Sequence, residues 1–144
     1  KNLKITGGNN TAGLGGGITN YGVLTLTGNT TVSGNHSGSA GAGGIFSFGT
    51  VTMNGHSLVA GNSLNSVGDA WGAGIYDYAG GHVTLNGSAA ITGNSTSGYG
   101  GGIYIQSGAT FTMNDASSVA NNTAAVDGGG IYNQSGSFTG RSRA

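Results

Sequence analysis

Gly16-Gly17-Ile18, Gly43-Gly44-Ile45, Ala73-Gly74-Ile75, Gly101-Gly102-Ile103 and Gly129-Gly130-Ile131 carry one short phrase through the whole chain. The isoleucines at 18, 45, 75, 103 and 131 follow one another at 27, 30, 28 and 28 residues. Recurrence at that length marks stacked units, each too small to bury its apolar face alone. Aligned on the isoleucines, every period shows three strand-like runs. The first is Ile18-Thr19-Asn20, Ile45-Phe46-Ser47, Ile75-Tyr76-Asp77, Ile103-Tyr104-Ile105 and Ile131-Tyr132-Asn133. The second is Leu24-Thr25-Leu26, Val51-Thr52-Met53, Val83-Thr84-Leu85, Phe111-Thr112-Met113 and Phe138-Thr139-Gly140. The third ends at Val32-Ser33-Gly34-Asn35, Val59-Ala60-Gly61-Asn62, Ile91-Thr92-Gly93-Asn94 and Val119-Ala120-Asn121-Asn122. Apolar and polar residues alternate with period 2, the mark of a half-buried strand, and no stretch has helical periodicity.

The expectation is one all-β domain over 1–144, a parallel β-helix (β-solenoid) of about five coils of about 28 residues with three short strands per coil. Each strand pairs with its counterpart one coil away, and inward Ile, Leu, Val, Met and Phe stack into a continuous core. The longer stretch between Asn62 and Ile75 reads as a loop inserted at about 63–73, holding Leu64, Val67 and Trp71. Asn35, Asn62, Asn94 and Asn122 recur where the third run ends, and stacked amides at coil spacing form a structural hydrogen-bonded ladder.

Composition narrows the function classes. Glycine makes up 33 of 144 residues with no proline, which excludes collagen. Recurring β-branched and aromatic residues exclude a flexible linker. Lys1, Lys4, Arg141 and Arg143 sit at the ends, while Asp69, Asp77, Asp115 and Asp127 lie within. No basic stripe exists, so no nucleic-acid partner is expected. No apolar run reaches the roughly 18 residues of a membrane span. Zero cysteine excludes a disulfide framework. Low charge with abundant Asn, Thr, Ser and Gly points to a secreted or cell-surface protein.

The Gly-Gly-Ile phrase followed by an apolar-x-x-Asn phrase resembles the repeats of polymorphic outer-membrane proteins and related bacterial adhesins. Those families pair such a glycine phrase with Phe-x-x-Asn. The resemblance runs from Ile5 to about Phe138, with Val or Ile in place of the phenylalanine and Ala73 breaking one Gly-Gly pair. It implies a right-handed β-helix and a surface-exposed adhesive role.

Enzymes with this architecture need clustered acids. The four aspartates fall at different positions of the repeat and read as solvated turn residues, so no catalytic residues are assigned and no enzyme is expected. His36, His56 and His82 also occupy three different positions, which gives no metal set and no cofactor.

Two outward rows carry the functional candidates. With the isoleucines inward, Thr19, Phe46, Tyr76, Tyr104 and Tyr132 project outward, and two residues on come Tyr21, Phe48, Tyr78, Gln106 and Gln134. The aromatics form a candidate binding face for glycan or protein; like residues stacked in a ladder also stabilise one another. The second row is Thr25, Thr52, Thr84, Thr112 and Thr139, flanked by Thr27, Asn54, Asn86 and Asn114 and by Val23, Thr50, His82, Thr110 and Ser137. Such a Thr-x-(Thr/Asn) ladder resembles the ice-binding faces of several antifreeze proteins, and threonine also pairs well with itself in sheets.

The chain opens in what reads as a third run (Leu3, Ile5) and closes on a second (Phe138), with no cap expected at either end. Open sheet edges template pairing, so these residues are candidate stacking ends for a head-to-tail fibre. The first reading is a non-enzymatic extracellular scaffold: a passenger, stalk or fibre subunit that contacts itself or a host protein or glycan. Ice binding is the alternative, and a polysaccharide-binding or -degrading β-helix the third.

Overall fold

In strands such as Thr50–Met53 the side chains alternate half-buried, buried, half-buried, buried. That alternation is what a strand does when one face meets a core and the other meets water. A computed structural model describes residues 2–66 and 68–142, so Lys1, Val67, Arg143 and Ala144 lie outside the description. Four five-stranded parallel sheets run the length of the molecule, and no helix occurs among the described residues. Five coils follow one another at the sequence period, counted here from Ile18, Ile45, Ile75, Ile103 and Ile131.

The isoleucine sheet is built from Ile18–Asn20, Ile45–Ser47, Ile75–Asp77, Ile103–Ile105 and Ile131–Asn133. The threonine sheet takes Val23–Leu26, Thr50–Met53, His82–Leu85, Thr110–Asn114 and Ser137–Arg141. The valine sheet takes Lys4–Ile5, Thr31–Ser33, Leu58–Ala60, Ala90–Thr92 and Ser118–Ala120. Register is in phase from coil to coil: Val51 has Leu24 and Val83 as its partners, and Ile75 has Ile45 and Ile103. The inward residues of these three sheets form one core, with Val51, Met53, Val59, Ile75, Leu85 and Ile103 fully buried.

A fourth sheet adds a strand per coil beyond the three read from sequence. Its strands have two residues each: Asn9–Asn10, His36–Ser37, Ser63–Leu64, Ser95–Thr96 and Thr123–Ala124. Two residues are too few to display an alternation, which is why the pattern hides them. The same sheet narrows the loop expected at 63–73. Ser63–Leu64 is a strand, Trp71 bridges Tyr99, and Leu64, Ala70 and Ala73 form a small buried cluster.

Asn35, Asn62, Asn94 and Asn122 stand one above another at the end of the valine sheet. Asn62 Nδ2 donates to Asn94 Oδ1 at 2.9 Å and to the Val32 carbonyl at 3.0 Å, while the Asn62 backbone N–H reaches the same Asn94 Oδ1 at 2.9 Å. Asn35 repeats this set on Asn62, and Asn94 on Asn122. Gly8 N–H continues the row onto Asn35 Oδ1 at 2.9 Å. The second glycine of the first four phrases, Gly17, Gly44, Gly74 and Gly102, packs against this ladder. A Cβ on Gly44 would lie 3.0 Å from Asn62 Nδ2 and 2.5 Å from the Gly74 carbonyl; one on Gly74 would lie 2.9 Å from Asn94 Nδ2. The two recurring phrases are therefore two sides of one contact.

Gly44→Ala is expected to cost about 2 kcal/mol or more through overpacking, whereas Gly22→Ala, where an added Cβ meets nothing within 4 Å, is expected to stay within about 0.5 kcal/mol. Asn62→Ala, which strands the Asn35 amide and the Val32 carbonyl, is expected to cost roughly 3 kcal/mol. Urea denaturation of the three variants checks the order; equal losses for the two glycines would break the argument.

Candidate functional site

The outward face of the isoleucine sheet is not a surface. Phe46, Tyr76 and Tyr104, expected to project as a binding row, are each only 4% exposed. They form a second apolar cluster with Ala42, against which Leu14, Phe48, Trp71, Tyr78, Tyr99 and Tyr132 pack. The cover comes from the glycine-rich stretch before each isoleucine, which folds back over the sheet. Gly72, Gly100 and Gly128 make that return at φ of 69°, 64° and 63°, a backbone that disfavours side chains. Leu14, Trp71 and Tyr99 each stand four residues before an isoleucine. That register is present in the sequence and marks the cover.

The rings of the expected binding face are spent on one another. Tyr21 and Phe48 stack at 4.7 Å with 6° between planes, Tyr76 meets Tyr104 edge-on at 5.1 Å, and Tyr104 stacks on Tyr132 at 5.1 Å. Only Tyr21 remains well exposed, at 70%, with Phe48, Tyr78 and Tyr132 half-buried. Buried hydroxyls need partners. Tyr76 Oη donates to Gln106 Oε1 at 2.8 Å and Tyr104 Oη to Gln134 Oε1 at 2.9 Å. The column Tyr21, Phe48, Tyr78, Gln106, Gln134 thus turns from aromatic to amide one coil after the buried column turns from Phe46 to tyrosine, which places each glutamine to receive the hydroxyl of the preceding coil. Burial, reinforced by neighbouring tyrosines and Asp69, raises the ionisation of Tyr76 and Tyr104 above the usual phenol range.

The threonine sheet presents the open face. Thr25, Thr52, Thr84, Thr112 and Thr139 are mutual partners in one unbroken column. On one side stand Val23, Thr50, His82, Thr110 and Ser137, in the same register. On the other side Asn86 Nδ2 donates to Asn54 Oδ1 at 2.9 Å and Asn114 Nδ2 to Asn86 Oδ1 at 2.8 Å, with Thr27 before them and Arg141 paired with Asn114 at the end. His82 Nδ1 and Thr110 Oγ1 are 2.6 Å apart. Rows spaced about 4.8 Å along the axis and columns about 6.7 Å apart make a regular grid of hydroxyls, methyls and amides. Its chemistry is neutral contact and hydrogen bonding. A shallow depression of 440 Å³ beyond the asparagine column is lined by Gly87, Ser88, Asp115, Ala116 and Ser142, where Asp115 Oδ2 accepts the Gly87 N–H at 3.0 Å.

The remaining sequence candidates are dispersed. His36 is half-buried with Nδ1 3.0 Å from Ser63 Oγ, and His56 is exposed. Among the described residues no three or more His, Cys, Asp or Glu side chains come together as a metal set, and no helix is long and apolar enough to cross a membrane. Leu3 is 60% and Phe138 45% exposed; Phe138 stacks on Phe111 at 5.3 Å, and Ile5 borders the core. Asp77 departs from the solvated turn expected of it: it is fully buried, on the same side as Ile75. Period 2 places it there, since residues 75 and 77 share a face.

The chain matches no protein-family model, no curated protein and no solved structure.

Tyr104→Ala is expected to cost about 3–5 kcal/mol as a core truncation, and Tyr21→Ala less than about 1 kcal/mol as a surface change. Thermal and urea denaturation of the pair check this. Similar small losses would return the row to the surface.

Proposed function

We propose that this chain is a non-enzymatic extracellular scaffold, a surface passenger or stalk segment, whose threonine face adheres to a protein or glycan partner. The observation that carries the proposal is the in-phase column Thr25, Thr52, Thr84, Thr112, Thr139, flanked on both sides by further aligned columns. Neutral hydroxyls and amides in a repeating array suit weak contacts multiplied along an axis, where avidity rather than any one site supplies the strength. Composition and the resemblance to bacterial adhesin repeats support the extracellular setting. The acids support no hydrolytic reading, because Asp77 faces the core while Asp69 and Asp127 are exposed in stretches two coils apart. Beads coated with the chain are expected to be captured by host-cell or matrix glycan layers. Thr52→Lys with Thr112→Lys, two coils apart and so not opposite one another, is expected to lower capture about tenfold with little change in the melting temperature. Absence of capture by the unaltered chain sinks the adhesive proposal.

Ice is the second partner, favoured by the same columns. Hydroxyls and methyls repeated in two dimensions can hold an ordered water layer that merges with a crystal face. The unaltered protein is then expected to inhibit ice recrystallisation, and Thr84→Tyr, which raises one ring out of the grid, to abolish the inhibition. No inhibition by the unaltered protein removes this reading.

A further inference from the structure

We propose that Asp77 is a pH-operated latch that closes the corner between the isoleucine and threonine sheets in the third coil and releases it as the carboxyl ionises. Asp77 belongs to the column Asn20, Ser47, Asp77, Ile105, Asn133, which stands at this corner in every coil. In the first, second and fifth coils the side chain binds the turn that follows. Gly22 N–H donates to Asn20 Oδ1 at 3.2 Å, Gly49 N–H to Ser47 Oγ at 3.3 Å, and Gly136 N–H to Asn133 Oδ1 at 2.7 Å.

The third and fourth coils have longer turns, which use their own carbonyls. Gly81 N–H donates to the Tyr78 carbonyl at 2.8 Å, and Ala109 N–H to the Gln106 carbonyl at 2.9 Å. The column position then has no donor to receive. The fourth coil fills it with Ile105, an apolar residue that fits a donorless site. The third coil keeps a carboxyl, and neither Asp77 oxygen meets a hydrogen-bond partner. Packing at this corner needs no acid, so the acid is surplus to the fold and available as a device.

Its surroundings leave ionisation only one outlet. Column neighbours Ser47 and Ile105 do not titrate, and neither does Gly81, on which a Cβ would lie 2.2 Å from Asp77 Oδ1. The nearby titratable groups face elsewhere: Tyr76 and Tyr78 lie in the outer aromatic cluster, and His82 is exposed beside Thr110. Among the described residues no cation pairs with the carboxylate. Burial alone pushes the Asp77 carboxyl up to about 8. The exposed tip of the turn, Ala79 and Gly80, is the route by which water reaches an ionised Asp77, because Tyr78 N–H donates to the Ser47 carbonyl at 2.9 Å and Gln106 N–H to the Asp77 carbonyl at 3.0 Å, which holds the flanking backbone.

The sign follows from proton linkage. The closed corner holds the proton up to about pH 8, while an opened corner releases it near the ordinary carboxyl value of 3.8. Between those values the open form binds fewer protons, so opening becomes more favourable as pH rises, about tenfold per pH unit, with plateaus below and above.

Hydrogen exchange read as protection factors, which removes the intrinsic pH dependence of exchange, tests the latch. Protection at Gly81 and His82 is expected to fall about tenfold per pH unit from pH 5 to 8. Asp77→Asn is expected to flatten that profile, leaving amides of the first coil unchanged in both proteins. Asp77→Ile, the fourth coil's own solution, supplies the same comparison if the asparagine variant does not fold. Wild-type protection that stays level with pH, or a variant that keeps the wild-type slope, overturns the proposal.

Discussion

The row of asparagine amides is the constraint from which the rest of the structure descends. Each amide uses both its donor and its acceptor capacity, and every bond joins one coil to another. Buried amides that lack partners are costly, while a completed network in a low-dielectric interior reinforces itself. Space for the row exists only because glycine stands opposite it, at Gly17, Gly44, Gly74 and Gly102. The isoleucine that follows each glycine is then delivered to the core in the same phase every time. Sheet register, core stacking and the threonine columns all inherit that phase.

Direction is also set by this row. Asn62 Nδ2 donates to Asn94 Oδ1 and to the Val32 carbonyl, and a backbone N–H arrives at the oxygen. Flipping one amide would place donors against donors, so the orientation of the whole row is determined by the main chain. The outer Asn54, Asn86, Asn114 row runs the opposite way, with each amide donating toward the preceding coil.

The architecture is legible in the sequence because the period repeats in phase and the second run alternates cleanly. The four-sheet section is less so, since strands such as His36–Ser37 are too short to show a pattern. The aromatic row misleads for a different reason. Alternation tells which side of a sheet a residue takes, and Tyr104 does take the outer side; it does not tell whether another segment covers that side. Leu14, Trp71 and Tyr99, in register four residues before an isoleucine, hold that information. Asp77 is the reverse case. Its inward placement follows from alternation with Ile75, but an acid next to a turn invites assignment to the turn. The threonine face is fully legible in its order, because its columns depend only on period and alternation. What it touches does not follow from the order, because hydroxyl grids suit more than one partner.

The pairing of each glycine with the asparagine that follows it has a consequence for how such a chain can change length. Gly74 serves Asn94 and Gly102 serves Asn122, so each unit carries both halves of its own contact. Ile75 and Ile103 are equivalent positions 28 residues apart. Excising residues 76–103 joins Ile75 directly to Tyr104 and leaves every row intact but one step shorter. Removing a handful of residues from within a strand would instead shift all later rows out of phase at once. Length in this molecule is therefore quantised: whole coils can be gained or lost as in other one-dimensional folds, while fractions are absorbed between strands, as at 78–81 and between Leu64 and Trp71.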